Sequence, residues 1–284
     1  MEEKAMKEGD RLMESNGENK TASIKQQFRD FYSYEDATLG RKYVATPFGS
    51  GEFFEQTEKY RYTLYPYLPE LMEFDKHRGE KVLEIGVGEG VDHNQFAKNG
   101  AELSGIDLTP RHIDITRRRL EKLGLKSNLN VADAENLPFD DDTFDLVYSC
   151  GVLFLVPDIQ RAIKEIYRVL KPGSKVIALF YNKDSFQYYL KILLWHGVVQ
   201  GELQYLTPDK LKSWYAGDGF GYPPLRYLNK RDLKNLFDSF HDLSFHLTTL
   251  TPDQIPALSN YFSKKALDLL SRYFGYYITL KAFK

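Results

Sequence analysis

From Lys81 onward the apolar residues come in short blocks, separated by stretches in which they recur every three or four positions. Lys81–Ile85 is such a block, ends at glycines, and predicts a buried strand. Glu89–Lys98 predicts a helix with Gly100 as its C-terminal stop. Glu102–Ile106 predicts a second strand. Thr109 and Pro110 then offer an N-cap and a proline at the first helical position. Ile113, Thr116, Leu120 and Leu123 share one face of the helix that follows, and Gly124 ends it. Asn128–Ala132 and Thr143–Ser149 predict the third and fourth strands. Pro157–Leu170 carries Ile159, Ile163, Ile166 and Leu170 in helical register, and Lys171-Pro172-Gly173 separates it from a fifth strand, Ser174–Phe180.

Strands alternating with helices through short connections predict an α/β fold with a parallel sheet covered on both faces. Right-handed crossovers make it a doubly wound, Rossmann-like sheet. After Phe180 the alternation stops. Phe186–Val199, Thr207–Tyr215 and Lys230–Phe240 read as helices, and Leu243–Thr251 and Tyr276–Phe283 as two more strands. Ahead of the first strand, Ala22–Tyr34 reads as a short helix. Glu55–Phe74 is rich in tyrosine, and Pro66 and Pro69 prevent one continuous helix there. The chain therefore divides into a flexible N-terminal arm (1–24), a helical lid segment (25–80), a ligand-binding core (81–182), a helical cap inserted after the fifth strand (183–241) and the last two strands of the sheet (242–284).

The 284 residues are 42% hydrophobic and 27% charged, the balance of an ordinary globular chain. A net charge of −2 lacks the footprint of a nucleic-acid binder. Arg117, Arg118 and Arg119 do not supply one, because neighbours on a helix point about 100° apart, so they read as a solvated face. The single cysteine, Cys150, excludes an intrachain disulfide and a cysteine metal cage, and no metal is expected. No apolar run nears the roughly 18–20 residues a membrane span needs, and Met1–Lys20 has no apolar signal core. A cytoplasmic protein is the expectation; composition says nothing about oligomeric state.

The candidate chemistry lies at the strand ends. In an open α/β sheet, ligands bind beyond the carboxyl ends of the strands. Glu84-Ile-Gly86-Val-Gly88-Glu-Gly90 follows the first strand, where glycines let a ligand approach the backbone. A dinucleotide fingerprint needs glycine at position 91, which is Val91; the third glycine comes one residue early. Glu84 repels a pyrophosphate and attracts an ammonium or sulfonium group. Asp107, ending the second strand, suits ribose hydroxyls. Asp133 and the Ala134 N–H, beyond the third, suit the edge of an adenine. Together these groups map onto S-adenosylmethionine.

Val82–Gly90, Gly105-Ile-Asp107, Asp133–Phe139, Phe144–Ser149 and Val169–Gly173 resemble the motifs of class I S-adenosylmethionine-dependent methyltransferases, above all the small-molecule branch called type 11. The resemblance covers roughly residues 80–182. It implies a seven-stranded sheet with an antiparallel last strand, S-adenosylmethionine as cofactor, and in-line transfer of its methyl group to a small acceptor. It implies that Glu84 meets the methionine ammonium, that Gly86 and Gly88 pass the methionine portion, that Asp107 holds the ribose and Asp133 the adenine amine, and that Ser149 and Gly151 line the site. Where many relatives have two histidines after Gly151, this chain has Phe154 and Leu155.

Arg61 is a candidate for the methionine carboxylate. The rings before the first strand and in the insertion, represented by Tyr60, Tyr65, Tyr189 and Trp195, are candidates to wall an apolar or aromatic acceptor. His196 and His93 are the candidate bases, His196 the better of the two, with His93 reading first as a partly exposed helix residue. His112, His241 and His246 read as surface or edge residues, and Cys150 as a small core residue. Tyr222-Pro223-Pro224 lies too far along the chain to be the motif of nucleic-acid amino-methyltransferases. A cofactor-binding regulator without catalysis and an NAD-dependent oxidoreductase are the competing readings.

Overall fold

A computed structural model of the chain describes residues 17–33, 44–216, 225–250 and 263–284. Residues 1–16 of the expected arm, Tyr222-Pro223-Pro224 and Thr251 lie outside the described residues.

The sheet contains β1 (Lys81–Ile85), β2 (Glu102–Asp107), β3 (Asn128–Val131), β4 (Phe144–Cys150), β5 (Leu170–Asn182), β7 (His241–Thr248) and β8 (Tyr277–Phe283) in the order β3-β2-β1-β4-β5-β8-β7. The first five pair in parallel, and β8 runs antiparallel to both β5 and β7. The expected seven strands are joined by β6 (Tyr227–Leu228). β4 ends opposite Leu179, which leaves Tyr181 and Asn182 open on that side, and β6 pairs there. β5 starts earlier than expected, at Leu170, because Leu170 pairs with Phe144 before the register shifts.

Side chains alternate across the strands, so each β1 neighbour serves a different core. Leu83 and Ile85 pack with Ile163, Ile166, Phe180 and Phe237 on one face. Val82 packs with Phe96, Leu146, Tyr148 and Ile177 on the other. That alternation sends Glu84 to the second face, toward the helix that follows β1.

The helices are α1 (Gly17–Ser33), α2 (Gly51–Leu64), α3 (Leu68–Leu71), α4 (Val91–Lys98), α5 (Pro110–Lys122) and α6 (Ile159–Val169), then a π-helix (Gln187–Val199), α7 (Pro208–Ala216), α8 (Lys230–Leu236) and α9 (Lys264–Phe274). α2 ends just before Pro66, as the proline requires. The π-helix turns Tyr188 and Ile192 inward and leaves Leu194, Trp195, Val198 and Val199 exposed. α9 was not legible in the pattern. The arginine run splits. Arg118 is exposed and pairs with Asp114, whereas Arg119 is buried and donates to the Glu89 and Phe54 carbonyls and to Thr57 Oγ1. The expectation of a solvated face thus fails for Arg119, which fastens α2 to α5.

Candidate active site

Two adjoining cavities open at the carboxyl ends of β1, β2 and β4, and Tyr32, Gly86, Gly88, His112 and Cys150 line both. One, of about 180 Å³, is charged: Arg61, Glu84, Glu89 and Asp92 line it together with Tyr60. The other, of about 250 Å³, is mostly apolar. Asp107, Asp133 and Ala134 line one side of it, and Lys25, Phe28 and Tyr32 of α1 another.

The charged cavity is built around Asp92, which is buried at the start of α4. Its carboxylate accepts from Arg61 Nε (2.6 Å) and Nη2, from the Tyr148 hydroxyl (2.6 Å) and from the Tyr62 hydroxyl (3.0 Å). Burial alone lowers the Arg61 pKa, but the Asp92 charge beside it raises it well above the usual value. Arg61 Nη2 also lies 3.3 Å from Cys150 Sγ, while Nη1 makes no hydrogen bond among the described residues.

Asp107 is held in place by its neighbours. Oδ2 accepts from the Gly88 N–H (3.1 Å), and Oδ1 from the Thr109 N–H (2.9 Å) and from His112 Nδ1 (3.2 Å). Burial pushes this carboxyl up, but His112 and the two backbone donors outweigh burial and hold it below its ordinary value. Beyond β3, Asp133 Oδ1 accepts from the Glu135 N–H (2.9 Å). Lys25 Nζ reaches across from α1 to Asp133 Oδ2 (2.6 Å) and to Glu135.

The glycines leave room that other residues fill. Gly86 has φ +81°, and a Cβ there meets Val152 Cγ2 at 2.2 Å. Gly86→Ala is expected to lower stability by about 1–3 kcal/mol through the strained backbone and this clash. Adding Val152→Ala relieves the clash and recovers part of the loss. Thermal melting of both variants tests this, and equal melting of Gly86→Ala and wild type contradicts it.

Residues 83–178 match the sequence profile of a methyltransferase domain. The chain is 30% identical over 175 residues to a ubiquinone biosynthesis O-methyltransferase of Coxiella burnetii, covering 59% of this chain and 74% of that protein. The chain belongs to the class I S-adenosylmethionine-dependent methyltransferases. A ubiquinone/menaquinone biosynthesis C-methyltransferase of Haemophilus ducreyi is 36% identical over 114 residues, covering 38% of this chain and 44% of that one. In fold, the chain is similar to a protein of Pyrococcus horikoshii OT3, with a TM-score of 0.56 at 20% identity over 90% of this chain and 99% of that one.

The cofactor of this methyltransferase is S-adenosylmethionine, and the cleft suits it. A charged pocket adjoins an apolar one that carries two acidic strand ends, and a Cβ on Gly88 would meet nothing within 4 Å, so backbone is exposed between them. Other expectations are corrected. Ser149 lines neither cavity; it is buried, and its hydroxyl donates to the Ile85 carbonyl (3.1 Å). Tyr65 turns away, its hydroxyl meeting that of Tyr277 at 3.5 Å. Tyr189 and Trp195 are exposed on the π-helix and line neither cavity. His196 stacks on Tyr215, ring centroids 3.6 Å apart, within the insertion. His93 is fully buried, not partly exposed, and also lines neither cavity. Cys150 lines both, where a core position was expected.

Sequence reading missed His112, Lys25, Phe28 and Tyr32. His112 reads as a surface residue in the sequence, yet it is buried at the junction of the cavities with its ring 5.7 Å from that of Tyr32. Its spacing from Asp107 was the available signal: five residues on, past a predicted N-cap, places it in the first turn of α5.

Proposed function

We propose that this methyltransferase transfers a methyl group to a small, apolar, ring-bearing acceptor. The lining of the cleft carries the reading: its roof is Phe28 and Tyr32 of α1, with Tyr60 beside the charged end. This replaces the roof expected from the insertion. Such walls favour an apolar guest at roughly 25 cal/mol per Å² buried. The names of the two curated relatives, both of quinone biosynthesis, support the same acceptor class.

Bound S-adenosylmethionine supplies an electrophilic sulfonium methyl, open to in-line attack. The chain's task is then to position the reactants and exclude water. In this reading Arg61 offers Nη1 to the methionine carboxylate, and Asp92 sets the plane of its guanidinium. Glu84 takes the ammonium and Asp107 the ribose. Asp133 and the Ala134 N–H read the adenine edge. Asp133 keeps acceptor capacity for this beside Lys25, since each carboxylate oxygen has two lone pairs.

Turnover of methyl-labelled S-adenosylmethionine against hydroxylated aromatic compounds and against polar amines tests the acceptor class. Transfer confined to the polar amines overturns it. For the cofactor site, Asp107→Ala is expected to weaken S-adenosylhomocysteine binding by about 1–3 kcal/mol, the loss of a charged hydrogen-bond partner. Unchanged affinity by calorimetry removes Asp107 from the ribose role.

A further inference from the structure

Behind the charged cavity, Glu84 meets a buried residue that these roles leave unused. Glu84 reaches from β1 toward α4, where His93 has no exposed surface. His93 Nδ1 lies 2.8 Å from Glu84 Oε2, and Nε2 lies 2.9 Å from Ser127 Oγ. Ser127 Oγ lies 2.9 Å from the Leu103 carbonyl oxygen. The ring occupies space that only a glycine leaves: a Cβ at Gly105 would stand 2.6 Å from His93 Cε1.

These contacts assign the hydrogens. A carbonyl oxygen only accepts, so the one hydroxyl hydrogen of Ser127 goes to Leu103. Ser127 Oγ then accepts from His93 Nε2–H. An imidazole that carries its hydrogen on Nε2 has only a lone pair at Nδ1, unless it is protonated. The contact with Glu84 therefore needs one more proton, on Nδ1 or on the carboxyl. Glu84 and His93 together hold one proton more than a carboxylate beside a neutral imidazole.

The surroundings favour this state. Glu84 faces Asp92 and Asp107, which oppose its ionisation, and Arg61, which favours it. Burial raises the Glu84 pKa above its usual value and pushes that of His93 down to about 3, so the proton rests on the carboxyl. Tyr148 of β4 packs nearby with its hydroxyl donated to Asp92.

A neutral acid is a weak receptor for an ammonium group; a carboxylate is a strong one. We propose that His93 is a positioning residue acting through Glu84, and that seating the cofactor's ammonium on Glu84 expels one proton from this pair. The proposal rests on the assignment of Glu84 to that ammonium. The carboxyl proton passes to Nδ1, the Nε2 proton leaves to solvent past half-buried Ser127, and the Ser127 hydroxyl turns to donate to Nε2. The sign follows from linkage. Cofactor affinity rises with pH while the free pair still holds its proton, and levels once it has lost it.

The test is calorimetric titration of the full chain with S-adenosylhomocysteine at pH 7, in phosphate and in Tris. In wild type the heats should differ by the ionisation of roughly one proton per ligand, and affinity should rise about tenfold per pH unit on the acid side. His93→Asn keeps a donor toward Glu84 that cannot titrate, and Glu84→Gln removes the titrating carboxyl. Glu84→Gln should bind without buffer-dependent heat, with an affinity flat in pH and more weakly than wild type, and His93→Asn, whose donor favours the Glu84 carboxylate in the free protein, should release fewer protons than wild type. A proton release undiminished in both variants would come from another group and overturn the proposal. So would equal heats in the two buffers for wild type. A wild-type chain that binds no S-adenosylhomocysteine overturns the cofactor assignment itself.

Discussion

Replacing Asp92 by alanine is expected to cost about 3–5 kcal/mol of folding stability, the usual penalty for breaking a buried ion pair from one side. Four donor contacts converge on this carboxylate: two from Arg61 and one each from the hydroxyls of Tyr62 and Tyr148. Its removal leaves a guanidinium facing Glu84 across the cavity but stripped of its bidentate partner. The Tyr148 and Tyr62 hydroxyls lose this acceptor too, and Tyr62 keeps only its longer contact with the Val91 carbonyl (3.4 Å). For a chain of this size the loss corresponds to a melting temperature lower by on the order of 10 °C. Arg61→Met in the Asp92→Ala background should restore part of it, because the unpaired charge goes too. A single variant melting within two degrees of wild type refutes the account.

The second large effect is expected at the roof. Substituting Lys25, Phe28 and Tyr32 together by alanine should weaken S-adenosylhomocysteine binding on the order of a hundredfold. Lys25 is the tie between α1 and the acids beyond β3, and Phe28 and Tyr32 line the apolar cavity. Losing even one ring's worth of apolar burial is worth about 1.5–3 kcal/mol, and about 2.7 kcal/mol is a factor of a hundred. The β-sheet core does not depend on these residues, so circular dichroism should stay unchanged. Affinity within threefold of wild type would show that α1 is no part of the binding site.

The first five strands were legible because turn signals bound each of them and most are short apolar runs, and the acids at their ends because the strand ends themselves could be read. Glu84, Asp107 and Asp133 needed only their position on the sheet to be picked out. His93 and His112 were not legible for a related reason. Both sit on helices that look polar in sequence, and both are buried because an acid from a neighbouring strand faces them. Helical periodicity sees only its own element. The insertion misled differently. Its rings, and Tyr65 of the segment before β1, read as wall material for the cleft, but Phe186 stacks on Phe274 of α9 and Tyr65 meets Tyr277 of β8, so they pack away from the cleft instead. Helix α1 begins at Gly17, earlier than its apolar residues suggest, and its inward positions make sense only once the cleft is there to receive them.

The place of β8 has a consequence for how the chain is made. Of the strands described in this sheet it is made last, yet it lies between β5 and β7, pairing with both. Until Tyr277–Phe283 arrives, the edge of β5 from Lys175 to Tyr181 stays unpaired, and β7 has nothing to join. The partners meet roughly a hundred residues after β5 leaves the ribosome, the kind of distant pairing that slows folding. A half-made chain therefore carries an open strand edge bearing Val176, Ala178 and Phe180, ready to template pairing with another copy. Productive folding of this sheet must wait until β8 has been made, and the nascent chain must be kept apart from its neighbours until then.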